Sequence, residues 1–308
     1  MKPDALRVLI PALSFALLLA AVFWLQPRAM SYLGLNLLFN LSVPIALATV
    51  AQMLVIAIND LDLSIGTFVS FVACVTATFV NDTPTLGFSI LAASVGVYAL
   101  VGVLIHLRDL PSIVVSLGMS FVWGGLAVLI LPAPGGSAPG WVRAVMTAKP
   151  PILPIAIVAS VVIAIVAHLL VMRSSFGVAL RGVGGNARSV ERAGWSVLRL
   201  RAATYALAGL FAVLAGVTLV GLTTSADANI ALRYTLLSIA GVILGGGEFT
   251  GGRVSAVGAV IGALTLTLAS SFLTFLRLPP DWQIGAQGAI LIAVLAIRLL
   301  LDRWERQA

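Results

Sequence analysis

A short stretch between two apolar runs, Asp60-Leu61-Asp62-Leu63-Ser64, holds the first residues that could do chemistry. Two carboxylates so close together can bind a metal cation, whereas a carboxylate or hydroxyl just before a helix accepts hydrogen bonds from the free amides of its first turn. We favour the second interpretation, because a helix is predicted to begin directly after the stretch. Asp62 and Ser64 are therefore predicted to cap that helix, and no metal site is expected.

Two glycine-rich stretches look like phosphate-binding loops but lack what such a loop needs. Residues 245–253 read GGGEFTGGR and residues 182–187 read GVGGNA. A Walker A loop needs a lysine, and the two lysines of the chain, Lys2 and Lys149, follow neither stretch. Gly251 and Gly252 are therefore interpreted as a tight turn, and the chain cannot carry a Walker A loop of its own. No nucleophile–base pair or set of metal ligands is visible in the sequence, so neither enzyme activity nor a cofactor is expected.

The densest charge lies between residues 173 and 201, which hold six arginines and a single carboxylate, Glu191. Within this segment Asn186 is of a type that caps helix starts, and Gly194 of the type that ends a helix in a left-handed turn. These positions predict a very short helix ringed by arginine, whose use is to contact something outside the membrane. The flanking arginines are predicted to be membrane-edge anchors, and they are Arg173, Arg199 and Arg201.

The composition identifies the class of protein. The 308 residues are 60% hydrophobic and 9% charged, and the mean hydropathy is +1.12. The chain is therefore predicted to be an all-α integral membrane protein that forms one domain over residues 1–308. The net charge of +7 comes from basic residues beside apolar runs, which indicates membrane topology rather than nucleic-acid binding. The lone Cys74 excludes an internal disulfide.

About ten membrane-spanning helices are predicted, the eighth of them short. Their ranges are 6–25, 33–58, 63–80, 86–107, 111–131, 155–172, 198–222, 232–244, 255–276 and 284–301, with a loop at 132–154. Pro44 is expected to kink the second helix. With the N-terminus inside, the cytoplasmic segments hold 13 of the 18 lysines and arginines. Both termini and the segment 173–201 are therefore predicted to be cytoplasmic.

Few polar side chains fall within the predicted spans. The carboxylates all lie at span ends or in loops, which disfavours a carrier driven by protons or sodium. Five polar residues are candidates for lining a solute path, although such residues more often hydrogen-bond neighbouring helices; they are Asn40, Gln52, Ser116, Ser120 and Ser270. Glycines four residues apart predict close helix contact, at Gly241 and Gly245 and at Gly258 and Gly262.

A faint internal repeat relates two groups of four spans. Leu110-Pro111 opens the fifth span, and Leu278-Pro279-Pro280 precedes the tenth. If spans two to five and seven to ten are repeats, their opposite orientation makes the repeat an inverted one. Transporters commonly use this arrangement to build a central path.

Three blocks of the sequence are distinctive in combination. The first runs from residue 51 to 66 and ends in Asp62-Leu63-Ser64-Ile65-Gly66, the second is residues 110–118, and the third runs from 175 to 194 and contains Gly184-Gly185-Asn186-Ala187. The turn Gly251-Gly252-Arg253 and the pair Trp282-Gln283 accompany them. In these blocks the chain resembles, over nearly its full length, the permease subunits of ribose/xylose-type ABC sugar importers.

The resemblance implies a type II importer permease with ten helices per subunit, which works in pairs in the inner membrane of a bacterium. It also implies a cytoplasmic ATPase, which binds the ATP, and a periplasmic or extracellular solute-binding protein. The short helix would then be the coupling helix, seated in the ATPase. The residues assigned to this coupling are Gly184, Gly185, Asn186, Ala187, Arg188, Glu191, Arg192, Ala193 and Gly194.

Two departures from the family pattern bear on the pairing. Tyr234-Thr235-Leu236 stands where the family usually has Tyr-Glu-Leu, and Asn59-Asp60-Leu61-Asp62 stands where it usually has Gly-Gly-Ile-Asp. Both departures count against a symmetric homodimer with a standard sugar path. A heterodimer with a second permease subunit is therefore slightly favoured over a homodimer.

The function expected from the resemblance is ATP-driven alternating access for a monosaccharide or a similar small hydroxylated solute. A nucleoside and a furanone-like autoinducer are the alternative solutes within the same class. A passive channel, or a receptor scaffold that binds a partner without pumping, is the alternative outside it.

Overall fold

The computed structural model describes residues 3–276 and, beyond them, only positions 282, 285, 288, 289 and 292. In this part of the chain the secondary structure is helical, apart from one isolated β-bridge between Gly135 and Ala226. The helices are α1 Pro3–Leu25, α2 Tyr32–Phe39, α3 Ser42–Ala57, α4 Ile65–Val75, α5 Pro84–Leu107, α6 Ser112–Ile130, α7 Gly140–Met146, α8 Ile155–His168, α9 Ser175–Arg192, α10 Val197–Thr223, α11 Tyr234–Leu244 and α12 Ala256–Phe275. Short π-helical turns extend α4 over Thr76–Val80 and α8 over Leu169–Arg173, and a 3-10 turn, Pro27–Met30, precedes α2.

Six of these helices are long and apolar enough to cross a membrane, namely Tyr32–Ala57, Pro84–Arg108, Ser112–Ile130, Ile155–Arg173, Val197–Thr223 and Ala256–Phe275. Three shorter apolar helices, Pro11–Leu25, Ile65–Val80 and Tyr234–Leu244, coincide with the first, third and eighth predicted spans. These elements confirm an all-helical integral membrane protein. Only positions 285, 288, 289 and 292 of the tenth predicted span are described, and the prolines at 279 and 280 lie outside the described residues, so the count of ten stays a prediction.

Helix α3 forms the centre of the bundle, because all of its residues are buried. Apolar side chains cover its whole circumference, as is typical of a helix with neighbours on every side. Helices α8, α10, α11 and α12 pack around it, and α5 lies on the outer face of α10. The chain turns at Asn40 and Leu41, shortly before Pro44, which accounts for the break between α2 and α3.

The predicted loop at 132–154 is wrong in one respect, because it contains α7. Gly221 of α10 lies directly against Val142 and Met146 of this helix. We call this side of the molecule the α7 end of the bundle, and the opposite side, where α8 leads into α9, the α9 end. At the α7 end the amide of Ser137 donates to the Ala77 carbonyl at 3.0 Å.

Helices α4 and α11 are short because each follows a non-helical segment that enters the bundle. The pre-α4 segment, residues 58–64, enters from the α9 end, and the pre-α11 segment, residues 224–233, enters from the α7 end. The two helix starts meet inside the molecule, where the amide of Gly66 donates to Thr235 Oγ1 at 3.0 Å and the amide of Ala231 donates to Ser70 Oγ at 3.0 Å. At 1.5 Å per residue, Gly66 lies about 16 Å along its helix from Ala77, near half the thickness of a membrane core.

The predicted close contact between small residues is confirmed for α11 and α12. A Cβ atom on Gly258 would collide with the Gly245 carbonyl, and a Cβ atom on Gly262 would collide with the Gly241 carbonyl. The backbones therefore touch, and dispersion contacts along the shared surface hold the two helices together.

This contact predicts a position-dependent cost for adding one methyl group. Gly262→Ala is expected to lower the free energy of unfolding by about 1–3 kcal/mol, because the new Cβ overpacks the interface. Gly125→Ala on α6 is the matched control, since no atom lies within 4 Å of the new Cβ, and it is expected to have little effect. Thermal unfolding of the purified protein in detergent measures both. Equal destabilisation by the two substitutions would contradict the packing.

Candidate functional site

Helix α9 consists of two parts. Asn186 interrupts it with φ −159° and ψ 93°, so that residues 187–192 form a separate short helix. Asn186 Oδ1 accepts a hydrogen bond from the Ser189 amide at 3.2 Å, and Gly194 has a φ of +87°. The predicted start and end of the short helix therefore have the expected geometry. The helix before it, residues 175–185, was missed because its glycines mask the apolar face.

One face of α9 packs against the bundle and the other is exposed. Leu180, Val183 and Val190 are buried, and they supply the amphipathic pattern of the helix. The Arg188, Glu191 and Arg192 side chains are exposed and form no hydrogen bond or ion pair with any other described residue. Of the other residues assigned to coupling, Gly184 and Ala187 are half-buried, and Gly185, Asn186, Ala193 and Gly194 are exposed.

The base of α9 is pressed against the bundle at Gly184. A Cβ atom there would overlap the carbonyl oxygen of Ala57, the last residue of α3, and the amide of Gly252. The Gly252 amide in turn donates to the Ala57 carbonyl at 2.9 Å. Gly251 and Gly252 have φ values of +68° and +69°, as expected of a glycine turn. This close contact, the Gly184 junction, links α9 to the point where the pre-α4 segment begins.

Asp60 in the pre-α4 segment forms a buried ion pair with α10. Arg201 Nη2 lies 3.1 Å from Asp60 Oδ1, and the Tyr205 hydroxyl donates to Oδ2 at 3.3 Å. The interpretation of Arg201 as a membrane-edge anchor is thus wrong, since its side chain is only 18% exposed and its partner Asp60 only 7%.

Asp62 is buried and is held by its own segment and by α5. Its Oδ1 atom accepts from the Ser64 amide and hydroxyl, both at 2.7 Å, and Oδ2 accepts from the Tyr98 hydroxyl at 2.7 Å. The predicted capping of α4 by these side chains is therefore wrong, because Asp62 and Ser64 bind each other before the helix starts. The hydroxyl of Thr235 accepts from the Gly66 amide instead.

Three further side chains satisfy the backbone of the pre-α4 segment. The side-chain amide of Gln52 of α3 faces the main chain of Asp62; with its nitrogen assigned toward the carbonyl, it donates there at 3.0 Å and its oxygen accepts from the Asp62 amide at 3.3 Å. On α6, Ser112 Oγ accepts from the Leu61 amide and Ser116 Oγ from the Leu63 amide, each at 3.1 Å. A non-helical segment inside a membrane protein needs such partners. Ser112 was not among the predicted site residues, because only its position beside the pre-α4 segment in the folded protein identifies it.

The structure does not bring the remaining path candidates to one place. Ser120 donates to the Leu117 carbonyl within α6, and Ser270 donates to the Leu266 carbonyl within α12. Asn40 lies between α2 and α3. Gln52 and Ser116 do meet at the pre-α4 segment, and there they position its main chain. The role of all five in lining a path stays a prediction.

Broken helices that meet inside an apolar bundle are typical of membrane transport proteins. The chain belongs to the family described as branched-chain amino acid transport system / permease component, whose sequence profile matches residues 34–295. It is thus an ABC transporter permease.

Individual relatives are distant but cover most of the chain. The galactofuranose transporter permease protein of Escherichia coli is 27% identical over 85% of this chain and 78% of its own length. The L-arabinose ABC transporter permease protein of Azospirillum brasilense is 28% identical over 83% and 76%, and the autoinducer 2 import system permease protein of E. coli is 25% identical over 96% and 89%. No solved structure matches the chain.

The Asp60 ion pair predicts that two nearby arginines of α10 differ in their effect on stability. Arg201→Met is expected to lower the free energy of unfolding by about 3 kcal/mol, because it leaves the buried Asp60 carboxylate without its cation. Arg199→Met is the matched control; Arg199 is exposed, and a change within about 0.5 kcal/mol is expected. Chemical unfolding of both variants in detergent measures the difference. A loss of the same size in both would contradict the ion pair's role.

Proposed function

We propose that this protein is the transmembrane permease subunit of a bacterial ABC importer for a monosaccharide or a similar small hydroxylated solute. The observation that carries the proposal is the short helix at 186–194. Its exposed arginines have no partner among the described residues, while Gly184, just before it, contacts the end of α3 at Ala57. The family to which the chain belongs supports the same assignment. The protein would lie in the inner membrane with both termini in the cytoplasm.

The partner at α9 would be the cytoplasmic ATPase. Arg188 and Arg192 are four residues apart, so they lie on one face of the short helix and would meet acidic or polar groups. ATP would be bound entirely by this partner, since the chain has no lysine after a glycine-rich loop.

The solute is proposed from the relatives. Two of them are named for the sugars galactofuranose and L-arabinose, which favours a monosaccharide. The relative named for autoinducer 2 import favours an autoinducer-type solute as the second candidate. A solute-binding protein would deliver either of them on the outer side of the membrane.

The two short helices support the predicted inverted repeat of spans two to five and seven to ten. Helix α4 follows the long α3 and α11 follows the long α10, and the segments before α4 and α11 enter from opposite ends. Thr235, which departs from the family pattern, already accepts a hydrogen bond from the Gly66 amide of its own chain, so it is not available for a partner. This supports pairing with a second permease subunit that retains the usual glutamate, and hence a heterodimer.

The mechanism we propose is alternating access. ATP binding would draw the two ATPase subunits together and displace α9, and the Gly184 junction would pass the displacement to Ala57 and the pre-α4 segment. The Gly66–Thr235 contact would then move with the start of α4. A shift of the two-state population from 1:99 to 99:1 needs about 5.5 kcal/mol of differential binding, which ATP and the loaded binding protein would supply together.

A charge reversal on the exposed face of α9 tests the proposal. In proteoliposomes that contain the permease subunits, the ATPase and the binding protein, Arg192→Glu is expected to lower ATP-driven uptake at least about tenfold, because truncating or reversing a central interface charge commonly costs 2 kcal/mol or more. Membrane insertion and the yield of folded protein should be unchanged. Arg199→Glu, outside the 186–194 helix, is the control and should retain uptake.

Three outcomes would count against the proposal. Normal coupled uptake by the Arg192→Glu protein would mean that the arginine only sets topology. Equal loss in the Arg199→Glu protein would point to insertion rather than docking. Solute flux in the absence of both ATPase and ATP would favour the passive channel.

A further inference from the structure

Arg233 lies near the middle of the membrane in depth, and its side chain is exposed on the outside of the bundle. The pre-α11 segment runs beside α4, with the Ala231 amide on Ser70 and Thr235 on Gly66. Arg233 is therefore between the levels of Ser70 and Gly66, about 10–16 Å from Ala77 at the α7 end. That is near the middle of a hydrocarbon core about 30 Å thick. The sequence places this residue at the start of the eighth predicted span, 232–244.

The Arg233 side chain has no partner within the described part of the chain. It is exposed, and no hydrogen bond or ion pair joins it to residues 3–276. The Asp62 carboxylate accepts hydrogen bonds from Ser64 and Tyr98. Asp227 precedes Arg233 in the pre-α11 segment, where it accepts from the Asn229 amide. A guanidinium in contact with lipid at this depth would cost several kcal/mol, so charged residues there face a water-filled cavity or a partner subunit.

Two helix starts make the surroundings of Arg233 positive. The N-terminus of α11 begins at the next residue, and the N-terminus of α4 is beside it at the Gly66–Thr235 contact. Each helix start carries a partial positive charge, which disfavours a cation and favours an anion. The Thr67 and Thr235 side chains next to the contact are half-buried, and their hydroxyls are hydrogen-bonded within the chain to the Ser64 carbonyl and the Gly66 amide. Both the hydrocarbon and the helix dipoles therefore disfavour the positive charge of Arg233 at this position. A bound anion would offset both unfavourable effects.

We propose that the face around Arg233, formed with Leu232 and Leu236, lines the aqueous solute path, and that its guanidinium selects for solutes that carry an anionic group such as a carboxylate or phosphate. This deepens the proposed function and rests on it. A hydroxylated solute with an acidic group would place that group against the arginine. The face would be closed on its other side by the second permease subunit.

Cysteine labelling tests the accessibility of this face. Cys74, the only cysteine, is buried and is replaced by alanine. Leu236→Cys, one turn from Arg233, is then compared with Leu17→Cys on α1, because both leucine side chains are 72% exposed. Two methanethiosulfonate reagents of opposite charge, an anionic sulfonatoethyl and a cationic trimethylammonioethyl derivative, are applied to the assembled transporter in membranes. Leu236→Cys is expected to react and Leu17→Cys, covered by lipid, to remain unmodified.

The ratio of the two labelling rates tests the charge selection. At Leu236→Cys the anionic reagent is expected to react faster than the cationic one, and adding Arg233→Gln should lower this ratio about tenfold. Arg233→Lys should retain most of it. Gel filtration confirms that each variant is folded. Leu236→Cys that reacts no faster than Leu17→Cys, or a ratio that Arg233→Gln leaves unchanged, would overturn the proposal.

The test is separable from that of the proposed function. The same preparations are assayed for ATP-driven uptake. Labelling as expected without ATP-driven uptake would overturn the importer assignment and leave an anion-selective path. ATP-driven uptake with no labelling at Leu236→Cys would overturn the path assignment alone.

Discussion

The structure depends on one constraint of the membrane, which is that every main-chain amide and carbonyl within it needs a hydrogen-bond partner. Helices α4 and α11 start halfway through the bundle, so the segments before them cannot use water or helical hydrogen bonds throughout. They use side chains of neighbouring helices instead, above all Thr235 for the Gly66 amide and Ser70 for the Ala231 amide. The start of each short helix is thereby fixed by the other.

This arrangement gives α9 a route into the bundle. The Gly184 junction places the base of α9 on the end of α3, where the pre-α4 segment begins, and Asp60 ties that segment to α10 through Arg201. The Gly184 junction is a close backbone contact that only glycine permits, and the Asp60–Arg201 contact is a buried ion pair. Neither can shift slightly without an energetic cost. The exposed arginines and the meeting point of α4 and α11 are thus connected by close contacts.

The sequence predicted the described spans, the glycine contacts and the ends of the short helix, because these depend on composition and on residues a few positions apart. It did not predict the partners of Asp60 or Gly66, since Arg201 and Thr235 are more than 140 residues away in the chain. The capping assigned to Asp62 failed for the same reason, as the partner that caps α4 comes from another helix. The depth of Arg233 was hidden because hydropathy reports how apolar a span is and not where within the membrane its helix starts.

Hydrogen–deuterium exchange on the reconstituted transporter tests most directly whether α9 and the meeting point of α4 and α11 act as one unit. Exchange of peptides covering 184–194, 58–70 and 228–238 would be compared with and without ATP bound to the ATPase, with α8 as internal reference. The account predicts that exchange changes together in all three peptides and stays constant in α8. A change confined to 184–194, with 58–70 and 228–238 unaltered, would contradict it.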